Sequence, residues 1–335
     1  MARGPIGIIA NPQSGKDIRR LVAQASVFDN QEKRSIVRRA ILGAAAAGAS
    51  DFLFMPDPHR IVEDALDRLD ADATFAAVDV PGTASAIDTT EAAAAMREAG
   101  AAVIITLGGD GTNRAVAKGW LDSPLIAIST GTNNVFPRMI EATVAGAAAG
   151  LVASGSVPLE AGSARAKRLR VAIEGEPDDL ALIDVALVDE RFVAARAVWM
   201  PQTLRTLVLS RANPAAVGLS AIGGLLRPVS RSEPGGLVVQ CGEGGRPLMA
   251  PLAPGYYDDV CVRSADRLEE GEPVVLEGPG IMALDGEREI VLRPGQRAEV
   301  TVLRDGPHVV DVERVLQLAA CNGHFWSDHG ERDGN

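Results

Sequence analysis

Between residues 5 and 154, short apolar runs alternate with helix-like segments, and this alternation leaves few folds open. The runs are "PIGIIA", "DFLFM", "FAAVDV", "AVIITL" and "LIAI". Between them, apolar residues recur every three or four positions. Ile36, Val37, Ala40, Ile41 and Ala44 make one stripe, and Ile61, Val62, Ala65, Leu66 and Leu69 another. That spacing predicts helices with one buried face. Asp57 followed by Pro58 predicts the start of the second helix, and Gly100 the end of the third. Short strands alternating with helices imply a parallel sheet covered on both faces. The alanine runs "ILGAAAAGA" and "EAAAAM" call for close packing by small side chains.

The texture changes near Gly155. From Arg168 onward, β-type runs such as "RLRVAIE", "LALIDVALVD", "RFVAARAVW", "GLVVQC", "DDVCVR", "PVVLEG", "EREIVL" and "AEVTVL" are separated by Pro, Gly and Asp turns. Only "PQTLRTLVLSRANP" and "GLSAIGGLL" are expected to interrupt them. The expected architecture is an N-terminal α/β domain with a parallel sheet over residues 1–155, then a mainly antiparallel β domain over residues 156–312. A tail over residues 313–335, helical at "VERVLQLAACNG", is positioned to return to the first domain.

Composition narrows the function classes. The chain has 335 residues, is 47% hydrophobic and 23% charged, and carries a net charge of −11. That charge argues against nucleic acid or an anionic membrane as the main partner, because both require a basic face. The three cysteines, Cys241, Cys261 and Cys321, are far apart and form no CxxC pair, so neither a disulfide framework nor a zinc site is expected. His324 and His329 lie in a polar C-terminus and read as surface residues. No apolar run is long enough for a membrane span, and the N-terminus does not read as a signal peptide. A reducing, cytoplasmic setting and a homo-oligomer are the expectations.

One loop stands out. The apolar run over residues 101–107 ends in Gly108-Gly109-Asp110-Gly111-Thr112, and a helical segment follows. At the carboxyl end of a parallel strand, such glycines let backbone N–H groups face an anion, and the next helix adds a favourable dipole. A polyphosphate fits that site. A carboxylate there repels phosphate unless it holds magnesium or handles a proton. The plain alternative is a tight turn with Asp110 as helix cap. The segment is neither a Walker loop nor a dinucleotide fingerprint. "NPQSGKD" lacks the earlier glycine and the Ser/Thr after lysine, and "GDGTNR" has arginine at the last glycine position.

Three further segments keep it company: "NPQSGK" after the first strand, "STGTNN" after the fifth, and "LDGERE" in the β region. This set, in this order, resembles the superfamily that joins NAD kinases with diacylglycerol, sphingosine and related lipid kinases. Within it, "GKDIRRLVAQASVFDNQEK", "STGTNNVFP", "VGLSAIGGLLRPV" and "ALDGERE" are similar to the ATP-NAD kinases of the acetoin-catabolism X type. The resemblance covers nearly the whole chain and implies the NAD kinase-like two-domain architecture. It also implies phosphoryl transfer from ATP or polyphosphate, with Mg2+, to NAD. The alternatives are another hydroxyl acceptor, lipid or small metabolite, or a nucleotide-binding regulatory module without turnover. The Asn-Glu pair and Thr-Pro-Thr-Gly-Ser-Thr-Ala-Tyr segment with which NAD kinases hold the acceptor are absent, and residues 218–224 match the latter poorly.

The resemblance also implies residue roles. Asp110 is the catalytic carboxylate and Glu287 a second one, with Asp285 as the metal ligand. Gly108, Gly109, Gly111, Thr112 and Asn113 cradle phosphates, with loop stabilisation the other role open to Asn113. Asn11, Ser14 and Lys16 place the nucleotide, and Thr130, Thr132, Asn133 and Asn134 line the cleft. For Asp285 and Glu287 the plain alternative is an ordinary hairpin turn, since Asp-Gly is a strong hairpin signal. Arg19 and Arg20 read as surface charge.

Overall fold

A computed structural model describes residues 4–14, 29–67, 69–131, 133–189 and 201–326, without the side chains of residues 288 and 289. The first half runs β1 (Ile6–Ala10), α1 (Asn30–Ala46), β2 (Asp51–Phe54), α2 (Ile61–Leu66), β3 (Thr74–Ala77), α3 (Ala86–Glu98), β4 (Val103–Gly108), α4 (Asp110–Gly119), β5 (Pro124–Ser129) and α5 (Ala142–Ala153). Then follow α6 (Leu159–Gly162), β6 (Ser163–Arg165), β7 (Arg168–Ile173), β8 (Asp179–Ala181), β9 (Asp184–Val188), β10 (Leu204–Leu209) and α7 (Leu219–Leu226). The chain ends with β11 (Gly236–Ala253), β12 (Tyr256–Leu268), β13 (Pro273–Glu277), β14 (Gly280–Leu284), β15 (Glu287–Leu292), β16 (Arg297–Leu303), β17 (His308–Val310) and α8 (Val312–Cys321).

The alternation in the first half folds as a seven-stranded sheet in the order β3-β2-β1-β4-β5-β17-β6. Strands β1 to β5 all pair in parallel. Every residue of β1, β4 and β5 is buried, as expected for central strands covered on both faces. One face packs against α1, α2, α5 and α8, the other against α3 and α4. Small residues set the closest approach. A Cβ on Gly43 of α1 would strike the Thr143 carbonyl, and one on Gly146 of α5 would strike the Ala40 carbonyl.

The two layers do not divide at residue 155. Helix α6 and strand β6 stay with the α/β layer, β17 adds in parallel to β5, and Val315 and Ala319 of α8 join its core. The second layer is a six-stranded sheet, β12-β11-β10-β9-β14-β15, facing a four-stranded sheet, β13-β16-β7-β8. All described strand pairs in these two sheets are antiparallel.

Two local expectations fail for physical reasons. The second helix starts at Ile61 rather than Pro58, because Arg60 takes a left-handed backbone (φ 51). Asp57 still caps it, accepting the N–H groups of His59 and Ile61. "PQTLRTLVLSRANP" contains the strand β10, held between β9 and β11. Its Leu204, Leu207, Val208 and Leu209 are buried on both faces, so the periodicity that marks a one-sided strand is missing. The run at residues 191–199 lies outside the described residues.

Candidate active site

Strand β1 lies between β2 and β4, and the chain winds away from it in both directions. The crevice between the carboxyl ends of β1 and β4 is therefore the topological switch point, where open α/β sheets bind ligands. The loops after these two strands are the ones singled out above. The Asn11 N–H donates to the Leu107 carbonyl (3.0 Å), and Asn11 Nδ2 donates to Thr112 Oγ1 (2.8 Å). Ser14 Oγ lies 2.8 Å from Thr130 Oγ1, which ties in the loop after β5. Asn11, Ser14, Thr112 and Thr130 thus meet, with Thr130 fully buried. Lys16 and Thr132, with Arg19 and Arg20, lie outside the described residues.

Helix α4 opens on this crevice. Gly109 is its N-cap residue and, having no side chain, offers no capping group of its own. First-turn N–H groups have no partner within a helix, which makes a helix start such as that of α4 suited to an anion. The glycines supply room rather than unusual dihedrals: Gly109 has φ −102 in an extended conformation, and neither Gly108 nor Gly111 has positive φ. A Cβ on Gly108 would meet the Thr112 side chain. One on Gly109 would lie 2.7 Å from Asn134 Oδ1, and one on Gly111 3.2 Å from Glu287 Oε1.

Asp110 does not cap its helix. Its carboxylate accepts the N–H of Val135 (3.1 Å to each oxygen) and of Phe136 (2.7 Å), in the loop after β5. Asn113 turns inward: its Oδ1 accepts from Thr106 Oγ1 and its Nδ2 donates to the Gly109 carbonyl, both at 2.8 Å. It holds the loop's shape from beneath and is fully buried. Asn134 Nδ2 donates to Ser129 Oγ (2.8 Å), and Asn133 lies half-buried beside it.

The hairpin β14–β15 brings the distant motif to this place. Its turn residues Asp285 (φ 50) and Gly286 (φ 79) carry the positive-φ pair that a two-residue hairpin turn demands, and Leu284 pairs with Glu287. Glu287 thereby reaches Gly111. Asp285, expected as a metal ligand, is placed otherwise. Its carboxylate accepts N–H groups from Leu182 (3.1 and 2.9 Å), Ile183 (2.7 Å) and Asp184 (3.2 Å). Buried and saturated with amides, it anchors the hairpin to the strand below. Burial pushes its carboxyl above the usual range and the Asp110 carboxylate adds to this, while Arg114 and the amides oppose. Among the described residues no cluster of three or more His, Cys, Asp or Glu side chains forms a metal cage.

Three site residues were not anticipated. Lys33 is fully buried, and its ammonium donates to the carbonyls of Asn11 (2.9 Å), Pro12 (3.2 Å) and Ser14 (2.7 Å). A signal existed: the stripe Ile36, Val37, Ala40, Ile41, extended back one turn of α1, lands on Lys33. Arg114 ties α4 to the β layer through the Leu180 carbonyl (2.6 Å) and Asp179 (3.0 Å). Arg211 reaches from the end of β10 to the Val135 carbonyl (2.6 Å). No sequence pattern pointed to the two arginines.

Comparison with known proteins gives this geometry its relatives. Residues 6–157 match the ATP-NAD kinase N-terminal domain, and residues 167–305 match the acetoin catabolism protein X C-terminal domain. Acetoin catabolism protein X of Cupriavidus necator is 42% identical over 339 residues, covering 97% of this chain and 93% of that protein. The chain belongs to the acetoin catabolism protein X family. Among solved structures, yeast NADH kinase complexed with NADH superposes with a TM-score of 0.54 at 13% identity, covering 100% of this chain and 91% of that one. A diacylglycerol kinase-like protein of Bacillus anthracis aligns with a TM-score of 0.40 at 14% identity, over 91% of this chain and 99% of that one. The family thus shares the two-domain NAD kinase-like fold. No helix among the described residues is long and apolar enough to cross a membrane.

Proposed function

We propose that this protein is a phosphotransferase that moves the terminal phosphoryl group of ATP, or of polyphosphate, to an alcohol group, with the adenosine ribose 2′-hydroxyl of NAD as acceptor. The observation that carries this reading is the meeting of Glu287 with Gly111. A carboxylate from the β layer arrives at the glycine-lined start of α4, beside Asp110 at the switch point. Nothing local forces that meeting. The NAD kinase-type N-terminal domain and the NADH kinase fold support the same reaction class.

In this site the first-turn amides of α4 bind the donor's phosphates, with Asn11, Ser14, Thr112 and Thr130 holding the adjoining loops in place. Asn133 and Asn134 serve the same cleft in this reading; Lys16 and Thr132, which the resemblance gives the same role, lie outside the described residues. Asp110, held by the amides of Val135 and Phe136, aligns the acceptor hydroxyl and takes its proton. Phosphoryl transfer through a loose transition state asks mainly for positioning and charge neutralisation, which this arrangement supplies. Magnesium would be a phosphate-borne ion here, since Mg2+ commonly uses one or two carboxylates plus substrate oxygens, and in this reading Glu287 would hold it. It neutralises phosphate oxygens when bound. A different hydroxyl acceptor is the second reading, favoured by the absence of the acceptor segment of NAD kinases.

An acceptor screen with ATP and Mg2+ tests this, with NAD as the expected substrate. Asp110→Asn is expected to fold and bind nucleotide while kcat falls by about 10²-fold or more. A variant with near-native kcat removes Asp110 from the chemistry. Tight nucleotide binding with no product from any acceptor replaces the kinase reading by the regulatory one.

A further inference from the structure

Beside Asp110 cations gather, in a chain whose net charge is −11. At its centre is Arg211. Its Nη1 donates to the Val135 carbonyl, while the N–H of the same residue donates to Asp110. A single residue therefore separates guanidinium from carboxylate. Arg138 stands in the segment that runs from the Asp110 amides back along β5, where its backbone pairs with Ile128. Arg231 completes the group, its charge felt by both Arg138 and Arg211. Among the described residues neither Arg211 nor Arg138 has a carboxylate in ion-pair contact, and the pair Arg231–Asp311 (3.4 Å) is solvent-exposed.

The place of Arg231 is built. Its loop, residues 230–235, is gripped by two other cations. Lys167 donates to the carbonyls of Ser230 (3.0 Å) and Gly235 (2.9 Å). Arg304 donates to those of Arg231 (3.2 Å), Ser232 (3.3 Å) and Glu233 (2.7 Å). The groups feel one another. Burial, with smaller contributions from Arg231 and Arg138, pushes the Arg211 guanidinium down to about 10 against the opposing Asp110 carboxylate. Burial likewise brings Lys167 to about 8, with Arg304 and Arg211 adding to the effect. Arginine forks left without a carboxylate in such a field match the planar, bidentate geometry of phosphate.

We infer that Arg211, flanked by Arg138 and Arg231, seats a phosphate or pyrophosphate group of the molecule whose hydroxyl faces Asp110, so that the acceptor is a phosphate ester rather than an uncharged polyol or neutral lipid. This rests on the phosphotransferase reading for the word acceptor, and the binding itself does not depend on turnover. The anion seat lies across Val135 from Asp110, whereas the donor's phosphates belong to the start of α4. The two anions are therefore held on separate walls, and the hydroxyl to be phosphorylated lies between them.

The test is calorimetric and needs no catalysis. The full-length protein is saturated with Mg2+ and a non-hydrolysable ATP analogue, then titrated with pyrophosphate, NAD or adenosine, the last carrying the same 2′-hydroxyl without phosphate. Pyrophosphate and NAD are expected to bind, and adenosine not. Arg211→Met and Arg138→Met are each expected to weaken both by about tenfold or more, with the ATP analogue's affinity unchanged and Arg211→Lys recovering part of the loss. Arg138 is exposed, so its variant serves if Arg211→Met does not fold. The inference is overturned if the saturated protein takes up no pyrophosphate or if adenosine binds as tightly as NAD. It is also overturned if the arginine variants lose only the ATP analogue. Pyrophosphate binding that persists while no acceptor is phosphorylated would end the kinase reading and leave the anion seat standing.

Discussion

Replacing Lys33 by methionine tests whether the first loop of the site is held by one buried charge. The ammonium has three protons, and three loop carbonyls, those of Asn11, Pro12 and Ser14, converge on it from 2.7 to 3.2 Å. Asn30 Oδ1, one helical turn away on α1, stands at 3.4 Å. A hydrogen bond to a charged group contributes about 1.5–3 kcal/mol, so three would be a large loss. Methionine fills much of the same volume, and removing the charge also relieves a burial cost of several kcal/mol. The difference leaves an expected destabilisation of about 2–4 kcal/mol. Part of it falls on the loop alone, because Asn11 and Ser14 are only half-buried and water can reach their carbonyls. Since Asn11 and Ser14 tie the β4 and β5 loops together, their release is expected to weaken ATP-analogue binding by about tenfold, equivalent to 1.4 kcal/mol. Thermal melting and calorimetric titration measure the two effects separately. Lys33→Arg is expected to restore neither, because a wider fork does not fit a site with no exposed surface. Unchanged melting temperature together with unchanged nucleotide affinity in Lys33→Met would refute the claim that Lys33 builds the loop.

Three further outcomes are expected. Gly109→Val would force a Cβ within 2.7 Å of Asn134 Oδ1, whose amide is already fixed on Ser129, so folding loses about 1–3 kcal/mol and calorimetry shows a more than tenfold loss of nucleotide affinity. Nucleotide with Mg2+ raises the melting temperature more than nucleotide alone, and Glu287→Gln shrinks that difference; an undiminished difference removes Glu287 from the metal. Lys167, ordinarily at 10.5, is brought to about 8 by burial, so between these values the unfolded chain holds a proton that the folded one has released. Its contribution to unfolding free energy therefore rises with pH through that window, and denaturant titrations at pH 8 to 10 should show a slope that Lys167→Met loses.

Much of the α/β layer was legible in the residues because its signals are local. Periodicity reports which side of a helix is buried, as at Ile36 to Ala44, and a nearly unbroken apolar run reports a central strand, as at Val103 to Leu107. The Asp285-Gly286 turn was legible for the same reason, since the backbone dihedrals of a two-residue hairpin select its residues. Strand β10 escaped because burial on both faces erases the period by which a strand is recognised. The site was legible as four separate motifs, and their residue types pointed to phosphate. What those residues do with their side chains was not. Asp285 went to the amides of residues 182–184, Asn113 to the floor of its own loop, and Asp110 to the amides of Val135 and Phe136. Which amide a carboxylate meets depends on elements distant in sequence, and only packing of the β layer onto the sheet decides that. Burial of Lys33 and the crowding of Arg138, Arg211 and Arg231 are of the same kind. The sequence by itself determined the strands, helices, turns and chemical vocabulary of the site, because each depends on near neighbours. Tertiary structure alone decided which charges are satisfied internally and which crowd one another, because electrostatic partnership acts through space.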